Sequence, residues 1–162
     1  MNNRGYTRRT ILRTGLMAGS AVALPGLLTR RAFAQSETIR IGFVSPQTGP
    51  VAAFGASDEY VLAQVRQAIG AGIEINGITY PVEIIVKDTQ SSANRASEVA
   101  NQLMLDDEVD LMLASSTADT TNPVADQCEL NEMPCISTDT PWDGHFFGRG
   151  GDPAVGFDWT YH

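Results

Sequence analysis

Ile39-Arg40-Ile41-Gly42-Phe43-Val44 runs directly into Ser45-Pro46-Gln47-Thr48-Gly49-Pro50. An apolar-rich run of strand length, stopped by a cluster of turn residues, reads as a buried strand. A helical pattern follows. Ser57 stands where it can cap a helix, Asp58 and Glu59 suit the positive end of its dipole, and Val61, Leu62, Val65, Ala68 and Ile69 give one apolar face before Gly70. Strand and helix then keep alternating. Asn76-Gly77 between Ile73-Glu74-Ile75 and Ile78-Thr79-Tyr80 signals a hairpin. Val82 to Val86 reads as a strand and Asp88 to Ser92 as a polar loop; Ala96, Val99, Ala100, Leu103 and Met104 form a second helical stripe. Val109 to Leu113 reads as a third strand. A third helix is expected to open at Thr120, Thr121 or Asn122, with Pro123 in its first turn, and to run to about Leu130. Pro134 to Ser137 reads as a fourth strand. The alternation predicts an α/β fold, a parallel sheet with helices on both faces, whose ligands gather at the carboxyl ends of the strands. The loops to watch are therefore Ser45 to Gly55, Asp88 to Ser92, Ala114 to Asp119 and Thr138 to Trp142.

Working outward, the chain has 162 residues, 43% of them hydrophobic, with a net charge of -8. That suits one globular domain and excludes coiled-coil, collagen-like and disordered chains. All 19 acids lie at or beyond Glu37, together with only five of the 11 basic residues, so this part carries about -14. Such a body repels phosphate backbones and anionic lipid, and no nucleic-acid partner is expected.

Residues 1–13 are polar and basic, Thr14 to Leu28 are uncharged, and Ala32-Phe33-Ala34 ends the stretch with small residues. This is signal-peptide anatomy. The uncharged run would reach ~22 Å as a helix, short of a ~30 Å hydrocarbon core. Thr7-Arg8-Arg9-Thr10-Ile11-Leu12-Arg13 resembles a twin-arginine export motif, which implies the twin-arginine translocase as a partner during export. Cleavage is expected after Ala34. The product is expected in the periplasm, where Cys128 and Cys135 meet an oxidising environment; two free thiols and one bridge both remain open. Their spacing suits neither a redox pair nor a zinc site, and no metal or cofactor is expected.

Catalytic machinery is not evident. No Gly-rich phosphate loop follows the first strand, and neither His145 nor His162 lies near a nucleophile-elbow motif. No enzyme is expected.

Gly49-Pro50-Val51-Ala52-Ala53-Phe54-Gly55 resembles a segment of the periplasmic solute-binding proteins of the leucine/isoleucine/valine-binding family. Asp88-Thr89-Gln90-Ser91-Ser92, the passage from Leu103 to Leu113, Thr121-Asn122-Pro123-Val124-Ala125-Asp126 and Met133-Pro134-Cys135-Ile136-Ser137 are similar to later segments in the same order. The resemblance implies the N-terminal lobe of a type I periplasmic binding protein over residues 35–150, behind a signal peptide at 1–34. It implies capture of a small solute, a branched-chain amino acid or a related amide or aromatic carboxylate, for delivery to the membrane permease and ATPase of an ABC importer. A sensory receptor ectodomain built on the same lobe is the alternative, and an enzyme on an α/β scaffold a more distant one. Carried over residue by residue, Phe54 matches an aromatic that walls the cleft. Ala118 falls where amino-acid binders usually have serine, and Thr140-Pro141 where the family often has alanine and threonine, which points away from a simple α-amino acid. Ser116, Thr117, Asp139 and Thr140 remain as polar contacts, with Trp142 free to stack on a flat solute. Arg149-Gly150-Gly151-Asp152 resembles the approach to the family's hinge, so residues 151–162 are expected to be its truncated start, with Phe157, Trp159 and Tyr161 on a helix face. On this reading the chain is a fragment of a longer protein whose second lobe it lacks.

Overall fold

The computed structural model describes residues 38–162. The signal-peptide and cleavage expectations lie outside the described residues. Strand β1 (Ile39–Ser45) is central, flanked by β4 (Val82–Asp88) and β5 (Leu111–Ser115). The sheet continues through β6 (Cys135–Thr138) to β7 (Thr160–Tyr161), in the order β4-β1-β5-β6-β7 with every pair parallel. Strands buried in a parallel sheet must satisfy two apolar faces, which is why β1 and β5 read as nearly continuous apolar runs. Between β1 and β4 sits the expected hairpin, β2 (Ile73–Ile75) with β3 (Ile78–Tyr80). Its turn residues Asn76 (φ 52°) and Gly77 (φ 78°) take the left-handed conformation that a two-residue hairpin requires.

Helix α1 (Asp58–Ile69) follows β1, α2 (Ala93–Leu105) joins β4 to β5, and α3 (Ala118–Leu130) joins β5 to β6. The short α4 (Trp142–Phe146) precedes β7. The α2 stripe Ala96, Val99, Ala100, Leu103 and Met104 is buried as its period predicts, in one core with Val44, Met112, Val124, Cys128 and Cys135. Gly42 permits this close packing: a Cβ there would stand 2.7 Å from Met112 Sδ and 3.1 Å from Leu103 Cδ1.

Helix α1 differs from expectation. Its apolar face is not enclosed, since none of its residues is buried and Val61 and Val65 are exposed. The crossover from β1 to β4 runs opposite in direction to those from β4 to β5 and β5 to β6. Right-handed crossing therefore places α1 on the other side of the sheet from α2 and α3. There it rests over the β4 edge, where Arg66 Nη2 donates to Ile84 O at 3.1 Å and a cavity of about 540 Å³ separates Leu62 from Val86. Ser57 precedes the helix without a side-chain capping bond.

Two boundaries also move. Asp110 anchors a turn instead of opening a strand: its amide bonds Arg40 O at 2.8 Å, its carboxylate accepts the Arg40 amide at 2.8 Å, and β5 starts at Leu111. Helix α3 begins at Ala118, earlier than Pro123 suggests, because Thr117 O accepts the amides of Thr120 (3.1 Å) and Thr121 (2.7 Å) and closes a turn ahead of the proline. The expected helix face at Phe157, Trp159 and Tyr161 is instead a loop leading into β7, parallel to β6.

Candidate functional site

In a parallel sheet all strand exits share one edge, and the chain changes direction across the sheet at β1: it leaves toward β4 and returns on the far side at β5. The crevice between the β1 and β5 exits is the topological switch point, where open α/β sheets hold ligands. Here the two exits are joined directly. Ser116 Oγ donates to Phe54 O at 3.4 Å, so the turn Ala52–Gly55 and the start of the β5 exit form one surface. Ser116 is buried, while the Phe54 ring is 61% exposed above it.

The first loop is fixed from beneath by the second. Asp88 accepts the amides of Gln47 (2.9 Å), Thr48 (3.1 Å) and Gln90 (2.8 Å) and the Thr48 hydroxyl (2.6 Å). Ser91 Oγ donates to Thr48 O at 2.7 Å and accepts the Val51 amide at 3.1 Å. Gly49, at φ 91°, lies so near Gln90 O that a Cβ would stand 2.7 Å away. Burial pushes the Asp88 carboxyl up, but the Thr48 hydroxyl and the amides of Gln90, Thr48 and Gln47 outweigh it and hold the group below its ordinary 3.8. A depressed carboxylate contributes stability above its unfolded pKa and loses it as pH falls through the lower folded value. Asp88→Ala is therefore expected to cost about 1–2 kcal/mol at neutral pH, since three amides lose a charged acceptor. Urea midpoints should show that penalty shrinking below about pH 4; a penalty independent of pH would contradict the role given to the charge.

The remaining sequence-derived positions divide into outward and inward groups. Trp142 is 64% exposed and packs on Phe147 at a centroid distance of 5.8 Å, and Asp139 is exposed at φ 60° with its carboxylate accepting from Thr138 Oγ1 at 3.3 Å. Thr117 is half-buried, its hydroxyl 3.0 Å from that of Thr120. Thr140 turns inward, its hydroxyl donating to Thr121 Oγ1 at 3.2 Å. Ala118 opens α3 beside Gly144.

The profile of the family described as periplasmic binding protein matches residues 38–162. The chain belongs to the periplasmic binding protein family. Similar solved structures include the branched-chain amino acid transporter substrate-binding protein LivJ from Streptococcus pneumoniae in complex with isoleucine (24% identity, TM-score 0.59, 76% of this chain and 33% of that one). An ABC transporter substrate-binding protein from Sphaerobacter thermophilus is 25% identical with a TM-score of 0.62, over 76% of this chain and 31% of that one. A solute-binding protein of an ABC transporter from Rhodopseudomonas palustris BisB5, in complex with 3,4-dihydroxybenzoic acid, is 19% identical with a TM-score of 0.56, over 64% of this chain and 27% of that one. The chain thus spans about a third of the length of these structures. Among curated proteins no match is found. Its sheet and helices are those of the N-terminal lobe of a type I periplasmic binding protein.

This periplasmic binding protein also contains a polar network that its sequence does not announce. Arg149, whose side chain is 1% exposed, donates from Nε to Asp126 Oδ1 (2.6 Å) and from Nη1 to Thr160 Oγ1 (2.9 Å) and His145 Nε2 (3.2 Å), with its guanidinium carbon 4.0 Å above the Phe157 ring. Since His145 Nε2 accepts from Arg149, its Nδ1–H donates to Asn122 Oδ1 at 3.1 Å, and the ring is neutral. Burial first, then the charges of Arg149 and His162, lower its pKa from 6.5 to about 4 against the opposing pull of Asp126. His162 stacks on it at 4.6 Å; His162 Nε2–H donates to Thr140 O at 2.6 Å and Nδ1 lies 2.8 Å from Ser137 Oγ. Beside these rings a cavity of about 470 Å³ opens at the carboxyl ends of β6 and β7, walled by Trp142, Phe146, Phe147, Phe157 and Tyr161. The network binds α3, α4 and β7 into one support for the loop at residues 139–141, between β6 and α4.

Proposed function

We propose that this chain is the N-terminal lobe of the solute-binding component of an ABC importer, exported with cleavage after Ala34, which holds a small carboxylate at the exits of β1, β5 and β6 and passes it unaltered to a permease and its ATPase. The observation that carries this reading is the Ser116–Phe54 junction at the switch point, which presents an exposed aromatic ring over a rigid polar floor. Rigid strand ends with a few polar groups and an apolar wall are what capture without chemistry requires.

The side chains left free support one solute class over another. Ala118 has no hydroxyl, and the Thr140 hydroxyl is committed to Thr121, so two positions that would serve an α-amino acid are not available. Phe54 and Trp142 offer ring faces instead. An aromatic or cyclic carboxylate fits better than a branched-chain amino acid, in keeping with the dihydroxybenzoic acid held by the Rhodopseudomonas relative. Hydrolysis at Ser137 is disfavoured by its burial: His162 Nδ1 lies 2.8 Å from the hydroxyl, but the serine is 2% exposed and offers no surface to a substrate carbonyl, and the second imidazole nearby, His145, already accepts from Arg149 at Nε2.

A thermal-shift screen of the full chain with hydroxybenzoates and branched-chain amino acids tests this. A ligand of the native state raises apparent stability by RT ln(1 + [L]/Kd), about 2.7 kcal/mol at a hundredfold excess over Kd. Hydroxybenzoates are expected to give the larger shift. Phe54→Ala and Trp142→Ala, both at exposed rings, are each expected to weaken binding roughly fivefold to thirtyfold with the unliganded midpoint unchanged. Equal shifts in wild type and both variants would sink the site assignment, and a larger shift with isoleucine would sink the solute class.

A further inference from the structure

Cys128 and Cys135 lie outside the candidate solute site. Cys128 is in the last turns of α3 and Cys135 opens β6; both are 0% exposed and belong to the same apolar core. The chain doubles back tightly between them. The Asn131 amide donates to Gln127 O at 3.1 Å, Glu132 takes φ 55°, and the Met133 amide returns to Cys128 O at 2.9 Å. On the strand side the Cys135 amide donates to Trp159 O at 2.9 Å, and Cys135 stands in register with Met112 and Thr160. This helix-to-strand turn places the two buried side chains in the same core cluster, where the two thiols interact. They are the two cysteines of the whole chain, so no other intramolecular pairing exists.

We propose that Cys128 and Cys135 are a disulfide-forming pair, closed by exchange with a small disulfide or a thiol–disulfide oxidoreductase while the α3–β6 turn is still folding, and sealed from oxidant and reductant once the core has packed. One cysteine thiolate attacks the external disulfide RS–SR and expels RS⁻. The second cysteine thiolate then attacks the sulfur of that mixed disulfide, expels the other RS⁻ and leaves Cys128–S–S–Cys135. The protein loses two electrons and two protons, and RS–SR is reduced to two RSH. In the folded chain this route is closed. The contact with Cys135 and the burial both push the Cys128 thiol up, so no thiolate is presented, and no external disulfide reaches a side chain without exposed surface. The order of folding and oxidation therefore selects between two long-lived forms, a sealed dithiol and a sealed disulfide. The chemistry does not depend on where the chain resides; in a periplasm, disulfide oxidoreductases would be the oxidant.

The test uses the full chain, prepared reduced, in two arms. In the first, the native protein is held in oxidised glutathione, then denatured and alkylated; two alkylated cysteines are expected, with no glutathione attached. In the second, the urea-unfolded chain is refolded in a glutathione redox buffer. Refolding is expected to lower the mass by about 2 Da and abolish alkylation, and cleavage after Glu129 and Glu132 should leave the two cysteine peptides joined. The bridged form should have roughly tenfold to a hundredfold fewer unfolded molecules at a fixed urea concentration than the dithiol. Cys128→Ser carried through the second arm should end as a single thiol or its glutathione adduct. Two alkylatable thiols after oxidative refolding, or a bridged form less stable than the dithiol, would overturn the pairing. Rapid glutathione attachment to the native protein would overturn the seal.

Discussion

Arg149→Met is expected to destabilise the lobe by about 3 kcal/mol, a large share of the 5–15 kcal/mol typical of a folded domain. Three contacts decide the size of the effect. Asp126, with half of its side chain exposed, regains water when the guanidinium is removed and contributes little to the loss. Thr160 and His145 are buried, and each loses a charged donor that no water replaces, at about 1–3 kcal/mol apiece. Methionine refills some of the volume above Phe157, and Arg149 Nη2 has no hydrogen-bond partner among the described residues, so part of the desolvation cost is relieved. Arg149→Lys should recover less than half of the loss, because a single ammonium cannot reach Asp126, Thr160 and His145 from one plane while stacking on an aromatic ring. Urea denaturation at neutral pH checks both variants, and a loss below about 1 kcal/mol for Arg149→Met would mean that the network is ornamental to the fold.

The second large effect is acid loss of stability centred on His145. Its folded pKa of about 4 lies below the ordinary 6.5, so between those values the unfolded chain binds a proton that the folded chain refuses. Stability contributed by the neutral ring is fully present above about pH 6.5 and is lost as pH falls toward 4. At about 1.4 kcal/mol per pH unit, that gap amounts to roughly 3 kcal/mol. The window lies above the one in which Asp88 acts, so the two are separable. His145→Gln should flatten the stability profile from pH 6.5 to 4, and Arg149→Met should shrink its slope by removing a charge that opposes protonation. An unchanged slope in His145→Gln would assign the acid loss elsewhere.

How much of this was legible depends on whether the information is local. The α2 stripe and the hairpin at Asn76-Gly77 follow from residues near one another in sequence, and the structure keeps both. The exposure of Val61 and Val65 does not, because the crossover direction, not the helix period, decides which side of the sheet α1 occupies. The start of α3 was hidden because Thr117 contributes through its carbonyl, which every residue has. Phe157, Trp159 and Tyr161 recur every second residue, a strand period, and the helix expected there came from likeness to longer relatives. At the candidate site, Phe54 is exposed in the Ala52–Gly55 turn and Trp142 is exposed where the expected loop gives way to α4, whereas Asp88 was visible only as part of a polar loop. Its signal was a carboxylate at a strand exit facing a Gly-Pro turn about forty residues earlier, a pairing that needs the sheet register to be seen. The Arg149 network joins residues more than twenty apart on three elements and had no sequence signal at all.

The most direct test of solute capture is an amide NMR titration of the isotopically labelled chain with a hydroxybenzoate, followed by recovery of the solute. A single lobe forms one wall of a site, so a Kd near 1 mM, about -4 kcal/mol, is the scale to search. The account predicts saturable shifts confined to Phe54, Ser116, Thr117, Asp139 and the Trp142 indole, with the hydroxybenzoate recovered unchanged. Shifts confined to the α1 cavity, no shifts at saturating millimolar solute, or a chemically altered solute would contradict it.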